Sequence, residues 1–182
     1  MSEFPTDKLH DELGHSRPQP WVEILQAWQE DEERPNSRSV YMQNVGQDWL
    51  GWRNAIILPL HLDKLEWNLY TITDPAKTIP HFRGGPFTPW QELYYGDKET
   101  PTFEEIVTNS ASDVQSRDKF RDILSSPEPL NLIGIIKDDD VYIVEGMHRC
   151  VAIALAACRN QPVNNEVRIS LAVSNLLELP KI

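Results

Sequence analysis

The chain has 182 residues, 40% of them hydrophobic and 25% charged, which predicts one domain with a sizeable core and excludes collagen-like, wholly disordered and disulfide-scaffold chains. Seventeen Lys+Arg against 28 Asp+Glu give a formal net charge of −11. That field repels nucleic acid, which basic faces bind, so a nucleic-acid partner is not expected. No apolar run approaches the roughly 20 residues a bilayer-crossing helix needs, so no membrane partner is expected either.

Residues 1–20 are polar and include Pro5, Pro18 and Pro20, and they predict a poorly ordered arm or an extended wrap. Their start has no apolar stretch, so it reads as no signal peptide, and a cytoplasmic protein is expected. Trp21, Ile24, Leu25 and Trp28 fall on one helical stripe. The acidic run Glu30–Glu33 and Arg34-Pro35-Asn36-Ser37 close it as a loop. Residues 39–58, broken by Gly46 and Gly51, predict short strands or turns leading to a strand at 55–60. Leu60–Trp67 predicts a short helix or a turn, and Asp74-Pro75 a further turn. The organisation expected is an N-terminal extension over 1–50 and a domain over 51–182. The stretch 75–102 is rich in Pro, Gly and aromatics and reads as a long loop within that domain; Trp90, Leu93 and Tyr94 give one helical turn inside it.

Thr102 and Glu105 have capping-box spacing before Ile106-Val107. Ser112 or Asp113 caps a second helix running to Leu124, stopped by Pro127 and Pro129. Leu132–Ile136 reads as a buried strand, Lys137–Asp140 as a hairpin turn and Val141–Val144 as the returning strand. Then come Glu145-Gly146-Met147-His148-Arg149, an alanine-rich helix from Cys150 to about Arg159, a loop holding Pro162, and an alternating strand at 167–173. Cys150 and Cys158 share that helix, about 12 Å apart along its axis, too far for a disulfide. With no further cysteine at metal spacing, they read as small buried hydrophobes.

The chemistry-bearing stretch is the turn from Glu145 to Arg149. A strand turning sharply into a helix brings unpaired N–H groups and the positive dipole end to one point, where phosphates bind. Gly146 permits a positive φ or close approach of a ligand. The Arg149 guanidinium matches phosphate, and His148 can donate a hydrogen bond or carry a proton near neutral pH. Glu145 is placed to hold Mg²⁺ or act as a base.

Gly146, His148 and Arg149, followed by the alanine-rich helix and preceded by Pro129–Leu132 and the hairpin, resemble the ParB/sulfiredoxin superfamily, whose strand–turn–helix phosphate motif has the form Gly-x-His-Arg. The resemblance covers about 117–173, extends to 55 through Ile56–Leu60, and does not reach 1–50. It implies a small mixed α+β sheet with packed helices. It also implies binding of ATP or another nucleotide with Mg²⁺, through Gly146, Met147, His148 and Arg149, with Glu145 and His148 as catalytic residues and Glu145 as the metal ligand. Sulfiredoxins carry cysteine where this chain has Met147. The partition proteins add a DNA-binding helical domain, for which the nine residues after Val173 leave no room. The turn most resembles that of the free-serine-kinase branch, departing at Met147 and in having Glu145 where Asp is common. That branch implies a kinase or ATPase acting on a small-molecule or protein acceptor, with a further acid from the N-terminal part; Asp63, Glu66 and Asp74 are equal candidates.

A second reading stands beside this one. Glu145 and Arg149, four residues apart, also suit a structural salt bridge within a non-catalytic protein–protein interaction module that keeps the fold. All six tryptophans lie in the first half; they either cover the N-terminal extension against the domain or form a partner surface. An enzyme should bring acids of the N-terminal part to the 145–149 turn in one pocket, whereas a binding module should show an exposed aromatic patch away from it. Arg83-Gly84-Gly85 reads as a turn rather than a second phosphate loop, since it lacks the P-loop spacing. His81 reads as a loop histidine and Asp138–Asp140 as a solvated hairpin tip.

Overall fold

The computed structural model describes Leu9 and residues 11–33, 48–109, 114 and 119–182. The chain is α+β. Strands β1 (Leu13–Pro18), β2 (Trp67–Ile72), β3 (Arg83–Gly84), β4 (Leu130–Lys137), β5 (Asp140–Glu145) and β6 (Val167–Val173) form one mixed sheet in the order β1-β2-β6-β4-β5-β3. Helices α1 (Trp21–Glu33) and α2 (Trp49–Ile57) lie toward the N-terminus. Short helices α3 (Pro75–Thr78), α4 (Thr88–Trp90), α5 (Phe103–Thr108) and α6 (Lys119–Ile123) come next, and α7 (Met147–Cys158) links β5 to β6.

The centre of the sheet is buried on both faces, and the side-chain alternation of the strands sorts two cores. On one face Leu132 and Ile136 of β4, Val141 and Ile143 of β5 and Ile169 and Leu171 of β6 meet α7, α5 and the 79–107 segment. On the other, Ile133 and Ile135, Val144 and Ala172 meet Ile24 and Trp28 of α1 and Trp49 and Ile57 of α2. Helix α7 is buried almost all round, from Met147 through Ala156, and its alanines let it lie close to the sheet. β4 pairs β6 in parallel and β5 in antiparallel register. The β4–β5 hairpin turns on Asp138 (φ 49°) and Asp139 (φ 67°), two positive-φ positions of the kind a tight two-residue loop demands.

Several expectations hold. Residues 13–18 are the extended wrap, paired antiparallel with β2 across a bulge between Gly14 and Ser16. The 102–105 capping box is complete: the Thr102 hydroxyl accepts from the Glu105 N–H at 3.2 Å, and the Glu105 carboxylate accepts from the Thr102 N–H at 2.9 Å. Others do not hold. The strand expected at 55–60 is instead the end of α2, followed by turns. Trp49, Arg53 and Ile57 are its buried residues, a spacing of four that the β-branched Ile56-Ile57 pair obscures. Asp48 caps it, accepting from the Gly51 N–H at 2.8 Å. The acidic end of the first stripe, Glu30–Glu33, is helical rather than loop. The 75–102 stretch, expected as a long loop, is largely short helical turns, although the helical turn expected around Trp90, Leu93 and Tyr94 is present, in π-helical form at Gln91–Tyr95. Helix α7 begins at Met147, three residues before the expected Cys150. The strand elements expected at 39–47 and the cap at 112–113 lie outside the described residues.

Cys150 is buried and Cys158 is exposed, against the expectation that both are buried. Burial pushes the Cys150 thiol well above the usual cysteine range. A thiol reagent such as Ellman's reagent should therefore titrate one cysteine in the native protein and two in denaturant; two rapid equivalents in the native state would contradict this core.

Candidate functional site

Gly146 follows β5 in the left-handed conformation (φ 96°, ψ 20°) and opens α7 as its N-cap, with no side-chain cap hydrogen bond. An added Cβ there would meet Leu132 Cδ2 at 2.4 Å and Asn131 O at 3.3 Å, so both the positive φ and the close approach to β4 favour glycine. Past this bare position Arg149 reaches back to β4, where its Nη1 donates to the Asn131 carbonyl at 2.9 Å. Arg149 Nη2 lies 3.4 Å from Asp31 Oδ2, and Nη1 lies 3.8 Å from Glu145 Oε1.

Glu145 also faces a second arginine, with Arg53 Nη2 at 3.9 Å. Arg53 sits between indoles, 4.9 Å from the Trp28 ring centre and 3.7 Å from that of Trp52. Its guanidinium is ion-paired with Glu32, with Nε donating to Oε2 at 3.0 Å. The indole N–H groups of Trp28 and Trp49 donate to the same carboxylate at 3.2 and 2.5 Å. Burial pulls the Arg53 guanidinium down to about 10, with Glu145 acting the other way, so it stays charged at neutral pH. The charges alternate along Glu32, Arg53, Glu145, Arg149 and Asp31, from α1 through α2 to the turn and back to α1.

Beside this chain lies a cavity of about 270 Å³ between α1 and the sheet. Its floor follows one register row, Arg17–Leu69–Ser170–Ile133–Glu145, across β1, β2, β6, β4 and β5. At about 4.8 Å per strand that row spans about 19 Å. Three arginines, Arg17, Arg149 and Arg168, and three acids, Glu23, Asp31 and Glu145, line it. The cavity is thus charge-balanced in a chain of net charge −11. Arg17 pairs with Glu23 at 3.0 Å, and the Ser170 hydroxyl donates to Gln19 at 2.7 Å.

The five residues of the turn do not share one surface. Glu145 and Arg149 line the cavity; Gly146, Met147 and His148 do not. Met147 is part of the core on the α7 face. His148 is exposed and lies in an aromatic cluster, 5.0 Å from the Trp90 ring centre and 5.9 Å from that of Phe120. Asp63, Glu66 and Asp74 are exposed and none lines the cavity; Asp74 instead caps α3, accepting from the Lys77 N–H at 3.1 Å. The N-terminal acid that reaches Arg149 is Asp31, with Glu32 behind it. Sequence reasoning missed both by reading Glu30–Glu33 as loop. The available signal was the helical register, since Trp28 and Glu32 are one turn apart.

The tryptophans serve the core. Trp28, Trp49 and Trp67 are buried, Trp21 stacks on Trp67 at 5.7 Å, and Trp28 meets Trp49 edge-on at 5.8 Å. Arg83 pairs with Asp140 at 2.7 Å and donates to the Thr100 carbonyl at 3.1 Å. A Cβ on Gly85 would meet Phe87 at 2.3 Å and the Ile143 carbonyl at 2.5 Å, so this glycine serves packing. Among the described residues no three His, Cys, Asp or Glu side chains are grouped to hold a metal ion, and no helix is long and apolar enough to cross a membrane. No family model, curated protein or solved structure matches the chain.

The ion-pair chain has a measurable role in stability. Replacing Arg53 with Met leaves Glu32 buried without its cation, a change that costs about 3–5 kcal/mol. Urea denaturation should show that loss for Arg53→Met, and Glu32→Gln with Arg53→Met should recover part of it, because the uncompensated charge is gone. Equal losses for single and double variants would contradict the assignment.

Proposed function

We propose that the chain binds a phosphate-bearing small molecule, a nucleotide with Mg²⁺ in the leading case, in the cavity between α1 and the sheet. The observation that carries this reading is the convergence of Asp31, from the N-terminal part, with Glu145 and Arg149 of the turn in one cavity. Convergence of that kind is what an enzyme of the ParB/sulfiredoxin type would need. The burial of Trp28, Trp49 and Trp67 also takes three of the six tryptophans out of the aromatic patch that an interaction module would display.

In this reading Arg149 supplies the paired donors for phosphate oxygens. The positive end of the α7 dipole lies at the same turn and favours the anion. Gly146 does not touch the ligand; it gives Arg149 the room to fold over β4. Glu145 and Asp31 are the carboxylates for Mg²⁺. Both stand beside one guanidinium, and Mg²⁺ is usually held by one or two carboxylates with phosphates and waters completing its shell. When bound, the cation would neutralise phosphate charge. The cavity is at or below the small end of the roughly 300–1,000 Å³ range of small-molecule sites, so it suits the phosphate end of a ligand, with the remainder extending toward Arg17 and Arg168. Phosphoryl transfer in such a site would rest on positioning and electrostatics. A kinase or ATPase activity therefore belongs to the same proposal, with Glu145 beside the transferred group. His148, outside the cavity, is given no contact with the phosphate.

The test is a thermal-shift panel with ATP, ADP, CTP and GTP, each with and without Mg²⁺. A ligand at about 100 times its Kd should stabilise the fold by roughly 2.7 kcal/mol, a shift of several degrees. We expect a shift with at least one nucleotide that is lost in Arg149→Ala and weakened in Arg149→Lys, which keeps the charge but not the fork. No shift at millimolar nucleotide would overturn the reading in favour of a non-catalytic module.

A further inference from the structure

We infer that Gln19 and Ser170 read a nucleobase at the end of the cavity away from Arg149, and so set which phosphate-bearing ligand the site selects. This rests on the phosphate reading above and adds to it the chemistry of the ligand's other end.

Each charged group on the cavity wall already has a partner of opposite sign. Arg17 pairs with Glu23 at 3.0 Å, Arg168 with Glu166 at 2.6 Å, and Arg149 with Asp31 at 3.4 Å and Glu145 at 3.8 Å. Charge alone therefore does not tell one phosphate ester from another, and selection falls to the uncharged polar groups. Of these, Asn131 is committed to the Arg149 end, where its amide donates to Asp31 at 3.3 Å. Gln19 and Ser170 are the uncharged polar pair at the other end.

Ser170 is 6% exposed, and its hydroxyl donates to Gln19 Oε1 at 2.7 Å. Among the described residues the two side chains make no other hydrogen bond. The Gln19 backbone is held as well, its N–H donating to the Trp67 carbonyl at 2.9 Å. The pair therefore keeps the donors of the Gln19 amide and an acceptor on the Ser170 hydroxyl. Turning the amide over exchanges the roles and again leaves one donor and one acceptor. A planar heterocycle with a donor next to an acceptor along one edge matches such a pair, and every nucleobase has such an edge. The ring also has apolar surface to lie on, with Ile24 and Ala27 of α1 on one side and Leu69 and Ile133, the strand neighbours of Ser170, on the other. Ser170 is two strands from Glu145 along the floor, about 10 Å at about 4.8 Å per strand. That spacing leaves room for a sugar between a base at Gln19 and a phosphate at Arg149. A ligand that covers the pair without offering the edge leaves it unpaired, which is how such a site rejects it.

The experiment is calorimetric titration of AMP, CMP, GMP, UMP and ribose 5-phosphate, all in one Mg²⁺ buffer, into the wild type, Gln19→Met and Ser170→Ala. Methionine keeps the length of the side chain at position 19 and removes the amide. Ribose 5-phosphate carries the sugar and the phosphate without the base, so it reads the Arg149 end by itself. At least one of the four nucleotides should bind the wild type about tenfold or more tightly than ribose 5-phosphate. Gln19→Met should bring that advantage to within about threefold while leaving ribose 5-phosphate affinity unchanged, and Ser170→Ala should narrow it. An absent advantage in the wild type, or one kept in full in either variant, would overturn the inference and leave the phosphate site standing. A parallel loss of ribose 5-phosphate binding in Gln19→Met would also overturn it, since Gln19 would then support the fold rather than read the base. Failure of the wild type to bind any of the five probes would instead overturn the phosphate reading itself.

Discussion

One carboxylate, Glu145, lies between two arginines, and the geometry of the site depends on that arrangement. Arg53 comes from α2 and Arg149 from α7, and each meets a second acid on α1. Buried ion pairs are poor sources of net stability, because desolvation takes back much of the Coulomb gain. What they do supply here is position. Two adjacent residues, Asp31 and Glu32, must each meet a different arginine, which sets both the rotation and the axial position of α1 over the sheet. The cavity exists because α1 is held at that spacing, its polar end fixed by the charges and its apolar stripe resting on Ile133 and its neighbours.

The sheet contributes the second half of the arrangement. Because β1, β2, β6, β4 and β5 are in register along Arg17, Leu69, Ser170, Ile133 and Glu145, one row of side chains carries charge at its two ends and small or apolar groups between. A one-residue slip in any of these strands would turn its member of the row to the opposite face. The N-terminal strand β1 and helix α1 thus supply one end of the floor and the roof. The cavity belongs to residues 13–33 as much as to the turn at 145–149.

The C-terminal third was legible because its patterns are local. The apolar run of β4, the Asp-rich tip, the Gly146 break and the alanine helix each act within a few residues, and all are present, the helix starting three residues earlier than expected. The salt bridge between Glu145 and Arg149 was also legible. What stayed hidden was long-range. Nothing local announces that Asp31 meets a residue 118 positions away, or that Arg53 lies between two indoles. The α2 segment was misread for a local reason: the β-branched Ile56-Ile57 pair mimics a strand, while tertiary burial of Trp49, Arg53 and Ile57 selects the helix. The split of the turn, with Arg149 on the cavity and His148 against Trp90 and Phe120, follows from the 100° step between successive helical residues, which a motif written as a string does not convey.

The central claim is that Arg149 and the turn before it receive a phosphate beside Asp31. The most direct measurement is an ¹H–¹⁵N NMR titration with Mg·ATP that follows the backbone amides of 145–149, the Arg149 Nε–H and the amide of Asp31. The account predicts saturable shifts at these positions, along with the Asn131 side-chain amide, and little change at the hairpin tip 138–139. Saturable shifts confined to other surfaces, with these signals unmoved, would contradict it.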